Sequence, residues 1–279
     1  MRYVSIELNG KPALGVRNSQ GDIDVISDES LESLLAEGTD LATYASNRKA
    51  TQTVKADDAK LLPPLSRPTK IICVGLNYAD HTAESPYEQP DYPTLFLRVN
   101  TSLIGHNQPI VRPKVSDSLD YEGEVAVVLG KGGRHISKDA ALDCVAGYSI
   151  FNDGSVREYQ FKAPQWTVGK NFDATGGFGP DLVTADELPA GAKGLKIETR
   201  LNGNVVQSAS TSDMIFDVAT LISIISEAIT LEAGDVIVSG TPAGIGWARD
   251  PKLLMRDGDV CEVTVEKLGT LRNPIVDEA

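Results

Sequence analysis

The chain has 279 residues, a balanced share of apolar and charged side chains and a formal net charge of −13 at pH 7, the profile of an ordinary globular protein long enough to bury a substantial core. The acidic excess would repel a phosphate backbone and no Lys/Arg stripe interrupts it, so nucleic acid is excluded as an expected partner. No apolar run approaches the roughly eighteen residues of a membrane span, and the opening "MRYVSIELNG" lacks the apolar centre of a signal peptide, so the expectation is a cytoplasmic protein without a membrane partner.

From the start, "RYVSIELNGKPALGVRNSQGDIDVIS" predicts short strands separated by turns at Asn9-Gly10 and Gln20-Gly21. "DESLESLLAEG" predicts a short helix capped by Asp28 or Ser30 and stopped at Gly38. The prolines of "LLPPLSRPTK" read as a boundary, dividing the chain into a small N-terminal domain, 1–66, and a larger domain, 67–279. Beyond it, "KIICVGLNY" reads as a buried strand and "HTAESPYEQPDYP" as an acidic, proline-rich loop with the character of a lid. "PTLFLRV", "EVAVVLG" and "GYSIFND" are strands, with a short helix "SKDAALDCV" before the last of them. "QWTVGKNFDATGGFGP" is loop-like. "LKIETRLNGNVVQSA" is a hairpin turning at Asn202-Gly203. "SDMIFDVATLISIISEAI" has helical spacing with Asp213 or Ser212 as cap, and "DVIVSG" returns to strand. Strands outnumber helices and are joined mainly by hairpins, so the fold class is α+β, mainly β, rather than a βαβ array. Cys73, Cys144 and Cys261 have no C-x-x-C spacing and read as buried thiols.

The chemistry gathers around "LDYEGEVAVVLG". Glu122 and Glu124 are two apart and so share one face of a strand with Ala126 and Val128, while Tyr121, Val125, Val127 and Leu129 make the other face apolar as well. A strand buried on both faces would force two carboxylates together, and either one takes a proton or a cation sits between them. Asp153, ending another apolar strand, is the candidate third oxygen ligand. Such a set, without His or Cys, suits a hard ion, Mg²⁺, Mn²⁺ or Ca²⁺, rather than Zn²⁺. Spacing alone leaves a solvated face equally open. In "GLNYADHTAE", His81 and Glu84 are three apart and would share a helical face, where the carboxylate orients the imidazole. "SGTPAGIG" holds Gly240, Gly244 and Gly246, but the next residues, "WARDPKLLMRDGD", offer neither the helix nor the acid-ending strand of a dinucleotide site. His106 and His135 have no partner in sequence; His106 flanks the acidic block.

"KIICVGLNYADHTAE", "PTLFLRVNTSLIGH", "LDYEGEVAVVLG", "GYSIFNDGSVREYQ", "VGKNFDATGGFGP" and "IVSGTPAGIG", in this order from about Lys70 onward, together resemble the fumarylacetoacetate hydrolase superfamily. The resemblance implies a mixed β-sandwich roll behind a small N-terminal α/β domain, and a homodimer. It implies Glu122, Glu124 and Asp153 as ligands of Mg²⁺, and His81 with Glu84 as a catalytic dyad. Lys170 is implied as a catalytic and substrate-binding residue, with Arg157, Gln160 and Thr241 also binding substrate. Three positions depart from related sequences: Gly154 stands where Val is common, Pro164 where some carry a substrate-contacting aromatic, and Arg98 where many have Lys.

The expected activity is hydrolysis of a C–C bond in an acylpyruvate-like 2,4-dioxo acid of the fumarylpyruvate, maleylpyruvate or diketo-deoxy sugar acid type. His81, oriented by Glu84, would deprotonate the attacking water, and pyruvate would leave as its enolate. The same ligands would also serve decarboxylation of oxaloacetate, isomerisation of a 2-hydroxy-dienoate or dehydration of a keto-deoxy sugar acid. A non-catalytic oxo-acid-binding or metal-stabilised protein is the alternative of another class, against which the dyad speaks.

Overall fold

The computed structural model describes residues 1–84, 89 and 91–279. The chain opens with three antiparallel strands, β1 (Arg2–Leu8), β2 (Lys11–Arg17) and β3 (Ile23–Ser27), followed by α1 (Leu31–Ala36) and β4 (Gln52–Val54). Ser30 is the cap of α1, its hydroxyl accepting from Ser33 N–H, and Gly38 closes the turn at φ +74°. Then come β5 (Ile71–Gly75), α2 (Ala79–Ala83), β6 (Thr94–Arg98), β7 (Ile110–Arg112), β8 (Gly123–Leu129) and β9 (Val145–Asp153). Two short helices, α3 (Arg157–Gln160) and α4 (Thr167–Lys170), precede β10 (Gly176–Thr184). The rest is the hairpin β11 (Lys196–Leu201) and β12 (Asn204–Ser210), α5 (Val218–Ala228), β13 (Val236–Val238), β14 (Val260–Val265) and β15 (Gly269–Asp277). The middle of the expected lid, 85–88 and 90, lies outside the described residues.

The large sheet runs β4-β3-β2-β1-β10-β9-β8-β13-β5-β6, and a second sheet runs β12-β11-β14-β15-β7. β8 is central in the large sheet, and all seven of its residues are buried. Val125, Val127 and Leu129 pack toward the second sheet and α5, against Ile197, Val263, Val265, Leu221 and Ile225. Ala126 and Val128 pack on the opposite side with Phe151, Phe178 and the α1 leucines Leu31, Leu34 and Leu35. Burial on both faces, expected from its composition, is therefore how β8 lies. The fold is mainly β with short helices, as the sequence predicts. Residues 1–66 have a small core of their own, Val4, Ile6, Ile23, Val25 and Leu61. They also extend the large sheet, since Arg2 pairs with Val183 and Tyr3 with Leu182. We propose 1–66 as a unit docked through that strand pairing.

Local differences have identifiable causes. α5 is capped by Asp217, which accepts from Thr220 N–H at 2.9 Å, and not by Asp213 or Ser212. Asn77 holds the intervening backbone extended: Ile215 N–H donates to its carbonyl and Phe216 N–H to its side-chain oxygen, both at 2.8 Å. Asp213 instead closes a capping box with Ser210. The loop-like segment "QWTVGKNFDATGGFGP" contains α4 and the beginning of β10. The Asn202-Gly203 turn is as expected, with φ of +51° and +78°. All three cysteines are buried and free. Among the described residues no helix is long and apolar enough to cross a membrane.

Candidate active site and metal centre

Register brings the acidic residues together. In the β8–β9 ladder Gly123 faces Asn152 and Glu124 faces Phe151, so Asp153 arrives beside Glu122. Two bonds fix the junction: Asp153 N–H donates to the Glu122 carbonyl at 2.8 Å, and Glu122 N–H donates to Asn152 Oδ1 at 3.1 Å. One carboxylate oxygen from each of Glu122, Glu124 and Asp153 lies within 4.8 Å of the others, and all three residues are buried.

Charge around this triad is nearly balanced. Lys170 Nζ donates to Glu122 at 2.6 Å and to Asp153 at 2.7 Å. Arg157 pairs with Glu122 through Nη1 at 2.6 Å and with Asp120 through Nε at 2.9 Å. Arg98 pairs with Asp153 and also donates to Thr175 Oγ1 at 2.9 Å and Ser102 Oγ at 3.2 Å. Four buried carboxylates, Asp120, Glu122, Glu124 and Asp153, thus face three buried cations, Arg98, Arg157 and Lys170. The excess falls on Glu124, which has no ion pair among the described residues and accepts a hydrogen bond from Gly240 N–H.

The two glutamates accordingly titrate in opposite directions. Burial favours the neutral form of both. At Glu122 the charges of Lys170 and Arg157 outweigh it and bring the carboxyl down to about 2. At Glu124 burial, with the charges of Asp153 and Glu122, pushes the carboxyl well above the ordinary glutamate range. For Lys170 burial acts against the charge, but Asp153 and Glu122 outweigh it and raise the ammonium above its usual value. A buried, all-oxygen donor set with one unneutralised carboxylate fits a hard divalent cation, and the triad could hold one.

His81 and Glu84 are brought together by α2, with Nδ1 2.9 Å from Glu84 Oε1. Glu84 also accepts Gly244 N–H, at 3.0 and 2.9 Å to its two oxygens. The dyad and the two glutamates of the triad open on one cavity, lined by His81, Glu84, Glu122, Glu124, Arg157, Gln160, Lys170 and Thr241. Its outer wall is apolar and aromatic: Leu76, Phe161, Trp166, Ile245 and Trp247. Every residue singled out for substrate contact or proton transfer borders this cavity; Asp153 lies behind it. Gln160 Oε1 is taken by Arg157 Nη1 at 2.9 Å, whereas Arg157 Nη2 is buried without a partner. The Thr241 hydroxyl, expected to face a ligand, is used within the protein: it donates to the Gly123 carbonyl at 3.0 Å and accepts from Gln207 Nε2 at 2.9 Å.

The departures find local reasons. A Cβ on Gly154 would lie 2.2 Å from the Thr175 carbonyl oxygen, so no valine fits there. Pro164 is exposed, and the aromatic lining comes from Trp166 two residues on. Arg98 is a buried brace behind Asp153. His106 is away from the cavity, in a groove with Arg17 and Asp181, where its Nδ1 accepts Arg272 N–H at 3.1 Å and burial lowers its imidazole to about 4. His135 is exposed. Sequence reasoning missed Asp120, although it leads the D-x-E-x-E run, and the two tryptophans of the cavity wall.

A family model described as fumarylacetoacetate (FAA) hydrolase, C-terminal, matches residues 70–276. Oxaloacetate tautomerase YisK of Bacillus subtilis (strain 168) is 43% identical over 222 residues, covering 78% of this chain and 73% of that protein. The mitochondrial oxaloacetate tautomerase Fahd2a of Rattus norvegicus is 41% identical over 216 residues, 77% of this chain and 69% of the relative. A fumarylacetoacetate hydrolase from psychrophilic Exiguobacterium antarcticum superposes with a TM-score of 0.88 at 35% identity, with each chain covered in full (100%). A 2-hydroxyhepta-2,4-diene-1,7-dioate isomerase from Mycobacterium marinum gives 0.81 at 31%, covering 100% of this chain and 99% of the other. With the E-x-E strand and the His–Glu helix meeting in one pocket and the later Asp beside the two glutamates behind it, the chain belongs to the fumarylacetoacetate hydrolase superfamily, a family of enzymes that bind a divalent metal.

Proposed function

We propose that the protein interconverts the keto and enol forms of a short 2-oxo diacid of the oxaloacetate type, in the presence of Mg²⁺. The observation that carries this reading is one cavity lined by a His–carboxylate dyad, by two glutamates of a hard oxygen-donor triad and by a buried arginine with an unpartnered Nη2. Glu84 at Nδ1 favours the tautomer in which Nδ1 carries the proton, leaving Nε2 of His81 as the base. Nε2 takes a proton from the carbon next to the keto group, the protonated imidazole returns that proton to the oxygen of the resulting enolate, and the reverse steps restore the keto form. Arg157 Nη2 offers a charged donor to a substrate carboxylate. A cation held by Glu122, Glu124 and Asp153 would withdraw charge from the 2-oxo group and make the neighbouring C–H more acidic. With it the buried cluster of four carboxylates and three cations turns from net negative to net positive, which suits an anionic substrate. The names of the relatives at 43% and 41% identity support the same choice.

A second reading is hydrolysis of an acylpyruvate, with His81 Nε2 deprotonating water. The aromatic outer wall of Phe161, Trp166 and Trp247 favours it, because apolar ring faces suit an acyl substituent better than a second carboxylate. The test is ultraviolet decay of enol-oxaloacetate with Mg²⁺-supplemented and chelator-treated protein, beside acylpyruvates followed by pyruvate release. Metal-dependent decay without loss of mass is the expected result. Pyruvate release from an acylpyruvate, with enol decay no faster than in buffer, would replace the first reading by the second.

We also propose a homodimer. Leu97, Val99 and Val168 are each at least half exposed around Asn171, which accepts Val99 N–H and donates to the Leu97 carbonyl. Sedimentation velocity should give twice the mass of the chain, and Val168→Glu should reduce it to one.

A further inference from the structure

Four consecutive backbone N–H groups, 244–247, point at two carboxylates from distant parts of the chain. Gly244 and Ile245 donate to Glu84, at 2.9 and 3.4 Å. Gly246 and Trp247 donate to the two oxygens of Asp120, at 2.8 and 2.9 Å. Asp120 is fully buried and accepts also from Arg157 Nε at 2.9 Å. The approach is tight: a Cβ on Gly246 would sit 2.7 Å from Asp120 Oδ1 and 1.8 Å from the Leu253 carbonyl oxygen. Tyr121 fixes the same loop from the side, its hydroxyl donating to the Gly244 carbonyl at 3.1 Å.

We propose that Asp120 is a positioning residue that ties the two working ends of the cavity together. Through Nε it sets the plane of the Arg157 guanidinium and so the aim of Nη2. Through the 244–247 backbone it holds the amides that grip Glu84, and hence the orientation of His81. The loop is short and hydrogen-bonded at each residue, so a displacement at Asp120 is carried to the dyad without any contact between them. Trp247, on that loop and in the cavity wall, moves with it. In catalysis, which rests on the reading above, anchoring a substrate carboxylate at Arg157 and moving a proton at His81 depend on one carboxylate that touches neither substrate nor metal.

Asp120→Asn places an amide NH₂ among donors and removes the charge facing Arg157. Hydrogen exchange is the first readout. In the variant the amides of residues 79–84 should exchange faster together with those of 244–247, although position 120 has no hydrogen bond to the former. With enol-oxaloacetate, KM should rise and kcat should fall, each by about tenfold to a hundredfold, the usual scale for a misplaced catalytic group. Wild-type exchange at 79–84 would overturn the proposal, and so would a rise in KM with kcat intact, which would confine Asp120 to the arginine. If wild-type protein turns over no 2-oxo acid, the functional reading fails while the exchange result still decides on Asp120. Should Asp120→Asn not fold, Tyr121→Phe removes the hydroxyl that fixes the Gly244 carbonyl and leaves the Asp120–Arg157 pair in place, and the same exchange comparison applies.

Discussion

Exchanging His81 for alanine is expected to lower kcat on a 2-oxo diacid by about 10²–10⁴ while the protein stays folded and binds Mg²⁺ as before. The loss corresponds to about 3–5 kcal/mol of transition-state free energy. His81 lies in the middle of a short helix, and its bond to Glu84 is one of several that Glu84 makes, so the Gly244 amide still holds that carboxylate when the imidazole is gone. Among the described residues, neither cation of the cavity can take over the proton. Lys170 is buried against Glu122 and Asp153, and their charges, overcoming the burial, raise its ammonium above the ordinary range, so it stays protonated at neutral pH. Arg157 is held charged in the same way by Glu122 and Asp120. Steady-state rates with circular dichroism and Mg²⁺ calorimetry on the same preparation check this. A rate within about threefold of wild type would show that water alone moves the proton and would remove the dyad from the chemistry.

The parts of this site that can be read from the sequence are those set by local periodicity. The i, i+2 spacing of Glu122 and Glu124 within an apolar strand, and the i, i+3 spacing of His81 and Glu84, each state a shared face, and the strand and helix supply it. Whatever depends on distant chain segments is not legible. The meeting of Glu122 with Asp153 comes from the β8–β9 register, and the burial of Lys170 between them from a helix of four residues too short to show a period. Residue type alone misplaces the cap of α5, because Ser212, Asp213 and Asp217 are all plausible caps, and Asn77, over a hundred residues away, selects among them. The Thr241 hydroxyl turns inward rather than toward a ligand because its partners, Gly123 and Gln207, come from two other strands. Asp120 shows why an acid beside a motif is easily passed over. Its function lies in backbone amides 126 and 127 residues further along the chain.

Glu124→Gln is expected to abolish Mg²⁺ binding and, at the same time, to raise the melting temperature of the metal-free protein at pH 8. The sign is set by the environment. Burial, with Asp153 and Glu122 close by, raises the folded-state pKa of Glu124 above its ordinary value of 4.5. A raised folded value means that the native state binds the proton more tightly, so this stabilisation is complete below the unfolded pKa and is lost as pH rises toward and through the folded one. Glu122 behaves oppositely: lowered to about 2, it contributes stability above 4.5 that is lost as pH falls toward 2. Glutamine keeps an acceptor for Gly240 N–H and offers its NH₂ to the neighbouring carboxylates, so the variant loses the cost of the buried charge. In the wild type a dication does that work. At a hundredfold excess over Kd it should add about 2.7 kcal/mol, a rise in Tm of about 5 °C for a chain of this size. Thermal melts at pH 5 and pH 8, with and without Mg²⁺, distinguish the outcomes. Metal-free wild type should lose ground to the variant between these pH values and regain it only with the cation. A variant that melts below metal-free wild type at pH 8, or that retains the Mg²⁺ shift, would mean that Glu124 is neutralised by some other group and that the dication is held elsewhere.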